Sequence, residues 1–134
     1  FSEYTQISSE VRYGQGSRAD FVLYKADCTS VILEVKAVTL YLDEGLGAFP
    51  DAKSARALKH TVELANAINS STRSLLVFCV LHSSINEVTI AKEIDPAYYF
   101  AFESALRAGL EVQAWGVDIS TSALTLSRRI PFNL

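Results

Sequence analysis

The sequence has 134 residues, 49% of them apolar and 20% charged, with a formal net charge of −3; this is the profile of one soluble globular domain. A domain of this size buries roughly 70% of the surface of its unfolded chain, so neither disulfides nor a structural metal are needed for it to fold. The charge excludes a uniformly basic surface that grips nucleic acid through phosphates alone, and no run reaches the roughly 18 apolar residues of a membrane span.

The chain contains no methionine and opens on "FSEYTQISSEVRYG", which is expected to be the middle of a longer protein. No basic stretch precedes an apolar run there, so no address is read. "SRADFVLYK" alternates, "ADCTS" supplies turn residues, and "VILEVKAVTL" follows; together they predict a hairpin. "DEGLGAFPD", with two glycines and a proline, predicts a loop. Asp51 then stands as an N-cap, and Leu58, Val62, Ala65 and Ile68 or Asn69 recur at helical spacing, predicting a helix from about 52 to about 69. "SLLVFCVLH" is a continuous apolar strand of the kind buried on both faces, central in its sheet. Asp95 caps a second helix with Pro96 in its first turn, supported by Glu103 and Arg107 at i, i+4 and ended by Gly109. "EVQAWGVDI" and "ALTLSRRIPF" close the chain as strands around a Ser-Thr-Ser turn. The order gives an α/β fold: a mixed sheet flanked by two main helices.

Glu34 and Lys36 interrupt the most apolar strand and share a face with Ile32, Val38 and Leu40. A buried charge needs compensation. Residues two apart on a strand stand roughly 6.5 to 7 Å apart at the backbone, so Lys36 is expected to pair poorly with Glu34 without bending. Asp20 and Glu34 are equidistant from Asp27, so a symmetric hairpin sets the two carboxylates opposite each other, where like charges destabilise a sheet. A divalent cation reverses that sign, and an oxygen-rich site of this kind suits Mg²⁺ or Mn²⁺. E-x-K alone is common in exposed strands; a metal site and a buried polar network without a ligand both remain open here.

"SRADFVL", "LEVKAVTL", "FPDAKSARALKH" and "EIDPAYYFAFESALRAGLEVQAW" resemble, in order and spacing, the motifs of the sugar fermentation stimulation protein A (SfsA) family. The resemblance implies a PD-(D/E)xK restriction-endonuclease-like domain over residues 1–134, with the family's N-terminal OB-like domain absent and a contact to it expected. It assigns Asp20 as the motif aspartate, Glu34 as the second acid and Lys36 as the lysine, and Glu10 as an acid that completes a metal site with Asp20, Glu34 and the Val35 carbonyl. The partner implied is nucleic acid, DNA in particular, and the activity is Mg²⁺-dependent phosphodiester hydrolysis. The alternative is a DNA-binding regulator of sugar (maltose) metabolism genes that does not cut.

Pro50 and Asp51 follow the E-x-K rather than precede it, so this "PD" is not the motif's. In "SARALKH", Ala55 and Ala57 replace the family's acid and glycine, while Arg56, Lys59, His60 and Glu63 fall on one helical face. That face is either solvated or a basic patch for phosphates, in which Arg18 at the strand mouth joins Arg56, Lys59 and His60. His82 is expected to be a capping or surface histidine rather than a ligand. Tyr98, Tyr99, Phe100 and Phe102 are expected in the core, with one or two tyrosines meeting the absent domain. Cys28 and Cys79 read as reduced thiols of a cytoplasmic protein, and without Cys-x-x-Cys or a His partner they exclude zinc and thiol chemistry.

Overall fold

A computed structural model describes residues 2–134. The strands are β1 (Gln6–Tyr13), β2 (Ser17–Tyr24), β3 (Ser30–Val38), β4 (Leu40–Tyr41), β5 (Leu46–Phe49), β6 (Thr72–Val80), β7 (Glu87–Ile90), β8 (Glu111–Ile119) and β9 (Leu124–Ile130); the helices are α1 (Ala55–Asn66) and α2 (Pro96–Arg107). The main sheet runs β1-β2-β3-β6-β8-β9, and a small one runs β4-β5-β7. β3, β6 and β8 are parallel, and the antiparallel β1–β2 hairpin and β9 extend the two edges. This is the mixed α/β fold expected.

β6 lies between β3 and β8, and its residues from Ser74 to Phe78 are buried. On one face, Leu76 and Phe78 join Ile32 and Ala114 with Leu64 of α1 and Tyr98 and Phe102 of α2. Phe78 packs on Phe49, Phe102 and Phe132, each buried ring contributing roughly 1.5–3 kcal/mol. On the other face, Leu23, Val31, Leu33, Leu75 and Val77 form a second cluster that contains no helical residue. Beside it Ile7, Phe21, Leu33, Trp115 and Leu126 border an apolar groove of about 450 Å³.

α2 forms as its sequence dictates: Asp95 accepts the Tyr98 N–H at 3.0 Å, and Gly109 follows the helix at φ +104°. The other oxygen of Asp95 accepts the Ser54 N–H at 3.1 Å, so one carboxylate holds both helix N-termini. Ser54, not Asp51, caps α1: its hydroxyl accepts the Ala57 N–H at 3.0 Å while Asp51 stays exposed. α1 is also shorter than its periodicity predicts, because Asn69 takes the Ser71 and Thr72 amides into a turn. The stretch expected as loop holds β5, in which Gly47 is required: Ile85 lies 2.6 Å from where a Cβ would stand. Tyr98 and Phe102 are buried; Phe100 is exposed, and Lys92 lies over its ring and that of Tyr99.

Candidate functional site

The β2–β3 ladder runs from Tyr24↔Ser30 to Phe21↔Leu33 and stops. The next rung in that register is Asp20 with Glu34, the pair expected from the symmetry of the hairpin. At this rung a side chain takes over from the backbone, as Asp20 Oδ2 accepts the Val35 N–H at 2.7 Å. From there β2 leaves β3, whose C-terminal half pairs with β6 alone. The β1–β2 ladder is interrupted at the same level: Ser9↔Phe21 and Val11↔Ala19 pair, and between them lies Glu10 at φ +55°, uncommon for a residue with a side chain. Three acids therefore occupy successive strands at one level.

The Glu34 side chain is only 4% exposed. Its Oε1 accepts from Lys36 Nζ at 2.9 Å and from His60 Nδ1 at 3.0 Å. The bend that this pairing needs is made: the lysine side chain, itself only 17% exposed, reaches back to the carboxylate two residues before it. A carboxylate offers no proton, so Nδ1 carries the hydrogen, which fixes the tautomer of a neutral ring. Glu34 Oε2 is buried and has no hydrogen-bond partner among the described residues.

An open cleft of about 640 Å³ brings together Glu10, Arg18, Asp20, Glu34, Arg56, Lys59 and His60. Ala55, which stands for the family's acid, lines it too. Arg56 and Lys59 are exposed, whereas His60 is buried against Glu34 and does not share their solvated face. Glu10 and Arg18 meet loosely at 4.0 Å, both largely exposed. Val35 contributes its N–H here, and its side chain packs in the second core. His82 accepts the Ser84 N–H at 3.2 Å and stacks on Tyr41, the capping role expected.

Two further residues belong here although the sequence did not single them out for it. The Tyr13 hydroxyl is buried without a partner; burial first, then the charges of Glu34, Glu63 and Asp20, push its ionisation far up and keep it a phenol. Glu63 is buried beneath the β1–β2 turn rather than solvated. A tyrosine at the end of a polar, mostly exposed strand and a glutamate on a polar helical face carry no signal of this, since the contacts are tertiary.

Among the described residues no three His, Cys, Asp or Glu side chains form a metal-ligating group. The donors present nevertheless suit a hard cation, which binds oxygens and keeps part of its water: Glu34 Oε2 is an unpartnered buried oxygen, and the Asp20 carboxylate stands on the adjacent strand.

The family described as "Sugar fermentation stimulation protein RE domain" matches residues 1–123. This chain belongs to the sugar fermentation stimulation protein family. Homologues in Pseudoalteromonas atlantica and Pseudomonas aeruginosa are 45% and 43% identical to it, covering 96% and 98% of this chain and 55% and 56% of their own lengths. The chain thus spans about half the length of the curated relatives it matches. A solved structure, that of Pyrococcus furiosus SfsA in complex with Ca²⁺, superposes with a TM-score of 0.82 over 95% of this chain and 54% of the other, at 22% identity. At that identity the likeness speaks for the fold.

Proposed function

We propose that this domain hydrolyses phosphodiester bonds in DNA with Mg²⁺ or Mn²⁺ held at Asp20 and Glu34. The observation that carries the reading is Glu34 Oε2: a buried carboxylate oxygen with no partner, opposite a second carboxylate at the point where two strands part. Lys36 and His60 meet the other oxygen, and a buried carboxylate oxygen left without a hydrogen bond still costs about 1–3 kcal/mol. The Ca²⁺ complex of the Pyrococcus furiosus protein supports a divalent ion in this fold.

Glu10 and the Val35 carbonyl are further oxygen donors for the ion, which when bound would polarise a phosphate oxygen and acidify a water. Lys36 and His60 both act on Glu34 Oε1, holding that oxygen in place and leaving Oε2 to face the ligand. With Nδ1 committed to Glu34, Nε2 is the ring nitrogen of His60 left for another partner. Arg18, Arg56 and Lys59, on the cleft walls, hold phosphates through charge-assisted bonds.

A second reading is a domain that binds DNA to regulate sugar-utilisation genes without cutting it. It is favoured by the commitment of Lys36 Nζ to Glu34, which takes the motif lysine away from an attacking water. Plasmid nicking with Mn²⁺ tests both readings on the wild type, Asp20→Asn and Lys36→Ala, with folding checked by circular dichroism. Hydrolysis expects metal-dependent nicking that both substitutions abolish; nicking that persists in both refutes it. No nicking together with Mn²⁺-dependent DNA binding supports the second reading.

A further inference from the structure

Beyond Asp20, β2 has left β3, so Ser17–Ala19 and the turn before them form an arm that no longer shares the ladder of the central sheet. The arm carries Arg18, and Asp20 and Glu10 stand at its root. It folds over α1: Glu63 Oε1 accepts the Gln15 N–H at 3.1 Å, and a Cβ on Gly14 would lie 3.1 Å from both Glu63 Cδ and Oε2. A Cβ on Gly16 would lie 3.8 Å from Lys59 Nζ. The turn is thus seated on the helical stretch that supplies Lys59 and His60 to the cleft.

Glu63 is 9% exposed, its Oε2 has no partner, and no ion pair neutralises it among the described residues. For stability alone a neutral side chain would serve as well or better, because a buried carboxylate without a cation is unfavourable. We propose that Glu63 is a positioning residue: it latches the β1–β2 arm to α1 and thereby keeps Asp20 on the Val35 N–H, facing Glu34. Gly14 is its counterpart, since only a residue without Cβ both adopts φ +58° there and lets the carboxylate come so close. The effect on metal binding rests on the function proposed above; the effect on Asp20 does not.

Amide hydrogen exchange by NMR tests this on the wild type, Glu63→Gln, Glu63→Leu and Gly14→Ala, with Asp20→Ala setting the rate of an unheld Val35 amide. Exchange is referred to Leu76 in β6, so that global destabilisation cancels. Glu63→Leu and Gly14→Ala should speed exchange at both Gln15 and Val35 by about tenfold or more, and Glu63→Gln, whose amide oxygen still accepts from Gln15, by less than about threefold. Protection of Val35 that survives the loosening of Gln15, or of both amides in Glu63→Leu, overturns the latch. Calorimetry with Mn²⁺ on the same proteins should show about tenfold weaker binding in Glu63→Leu and recovery in Glu63→Gln. Should the wild type bind no Mn²⁺, the metal reading fails and the Val35 amide still decides the latch.

Discussion

Removing Lys36 should destabilise the protein far more than neutralising the acid it pairs with. Glu34 is 4% exposed and Lys36 17% exposed, their charged atoms 2.9 Å apart. Breaking a buried pair from one side typically costs about 3–5 kcal/mol, since the surviving charge is left without its counter-ion. His60 keeps its bond to Glu34 Oε1 and offsets part of this, so the expected loss for Lys36→Ala is about 2–4 kcal/mol. At about 4 °C per kcal/mol for a chain of this length, the melting temperature should fall by about 8–16 °C. In Glu34→Gln the amide oxygen still accepts from Lys36 and His60, and the lysine stem can lead its head to water, so the loss should stay below about 1 kcal/mol. Lys36→Ala made on Glu34→Gln should likewise cost about 1 kcal/mol or less, a coupling of about 2 kcal/mol in the double-mutant cycle. Thermal and urea unfolding with EDTA present measure all four proteins. A Lys36→Ala protein that melts within about 3 °C of wild type, or an equal cost in both backgrounds, would refute a buried Glu34 charge dependent on its lysine.

Arg56→Ala and Lys59→Ala should each weaken DNA binding to a similar degree on every sequence and reduce the slope of log affinity against log salt by about one; anisotropy titrations that show unchanged slopes would remove these residues from the phosphate contacts. Arg73 meets Glu111 through two bonds of 2.7 Å, but the side chains are 52% and 40% exposed, so Arg73→Ala should cost only about 0.2–1 kcal/mol. The Arg73 guanidinium holds the Glu111 carboxyl below its ordinary 4.5. The pair therefore stabilises fully above that value and loses its contribution as pH falls through the lowered one; urea unfolding of both proteins should show the gap closing in acid, and a gap that widens there contradicts the assignment. Burial pushes the Cys79 thiol up while Cys28 is exposed, so a thiol reagent should modify one cysteine quickly and the other slowly. Two equal fast phases would contradict the packing of β6.

The hairpin register was legible because the turn centre was: pairs equidistant from Asp27 are the pairs observed, and they bring Asp20 level with Glu34. β6 and α2 were legible for similarly local reasons, a nine-residue apolar strand and a helix with its own cap and stop. What stayed hidden depends on partners distant in sequence. Gly47 reads as loop until Ile85 is known to fill the space beside it. His60 and Glu63 belong to a helical face that looks solvated, yet one is covered by Glu34 and the other by the β1–β2 turn. Asp51 reads as the cap of α1 in sequence, whereas Ser54 takes that place, and the Asp95 carboxylate that holds the Ser54 amide caps another helix.

The unpartnered buried oxygens carry the last step. Among the described residues the buried side-chain atoms without a hydrogen-bond partner are Tyr13 OH, Ser17 Oγ, Glu34 Oε2 and Glu63 Oε2. Native proteins satisfy most such groups, and exceptions call for an explanation. Here they do not scatter through the fold: Tyr13 and Ser17 flank the β1–β2 turn, Glu63 lies beneath it, and Glu34 stands beside the fork where the arm leaves the sheet. The charges of Glu34 and Glu63 both reach Tyr13. Apolar side chains in these places would close the gap between arm and helix at no electrostatic cost, and the buried polar groups elsewhere in that core, Thr61, Ser74 and Asp95, each have a partner. Among the described residues the unpartnered polarity is therefore confined to the one region where the sheet opens, and oxygens already free of other partners are what a hydrated cation requires.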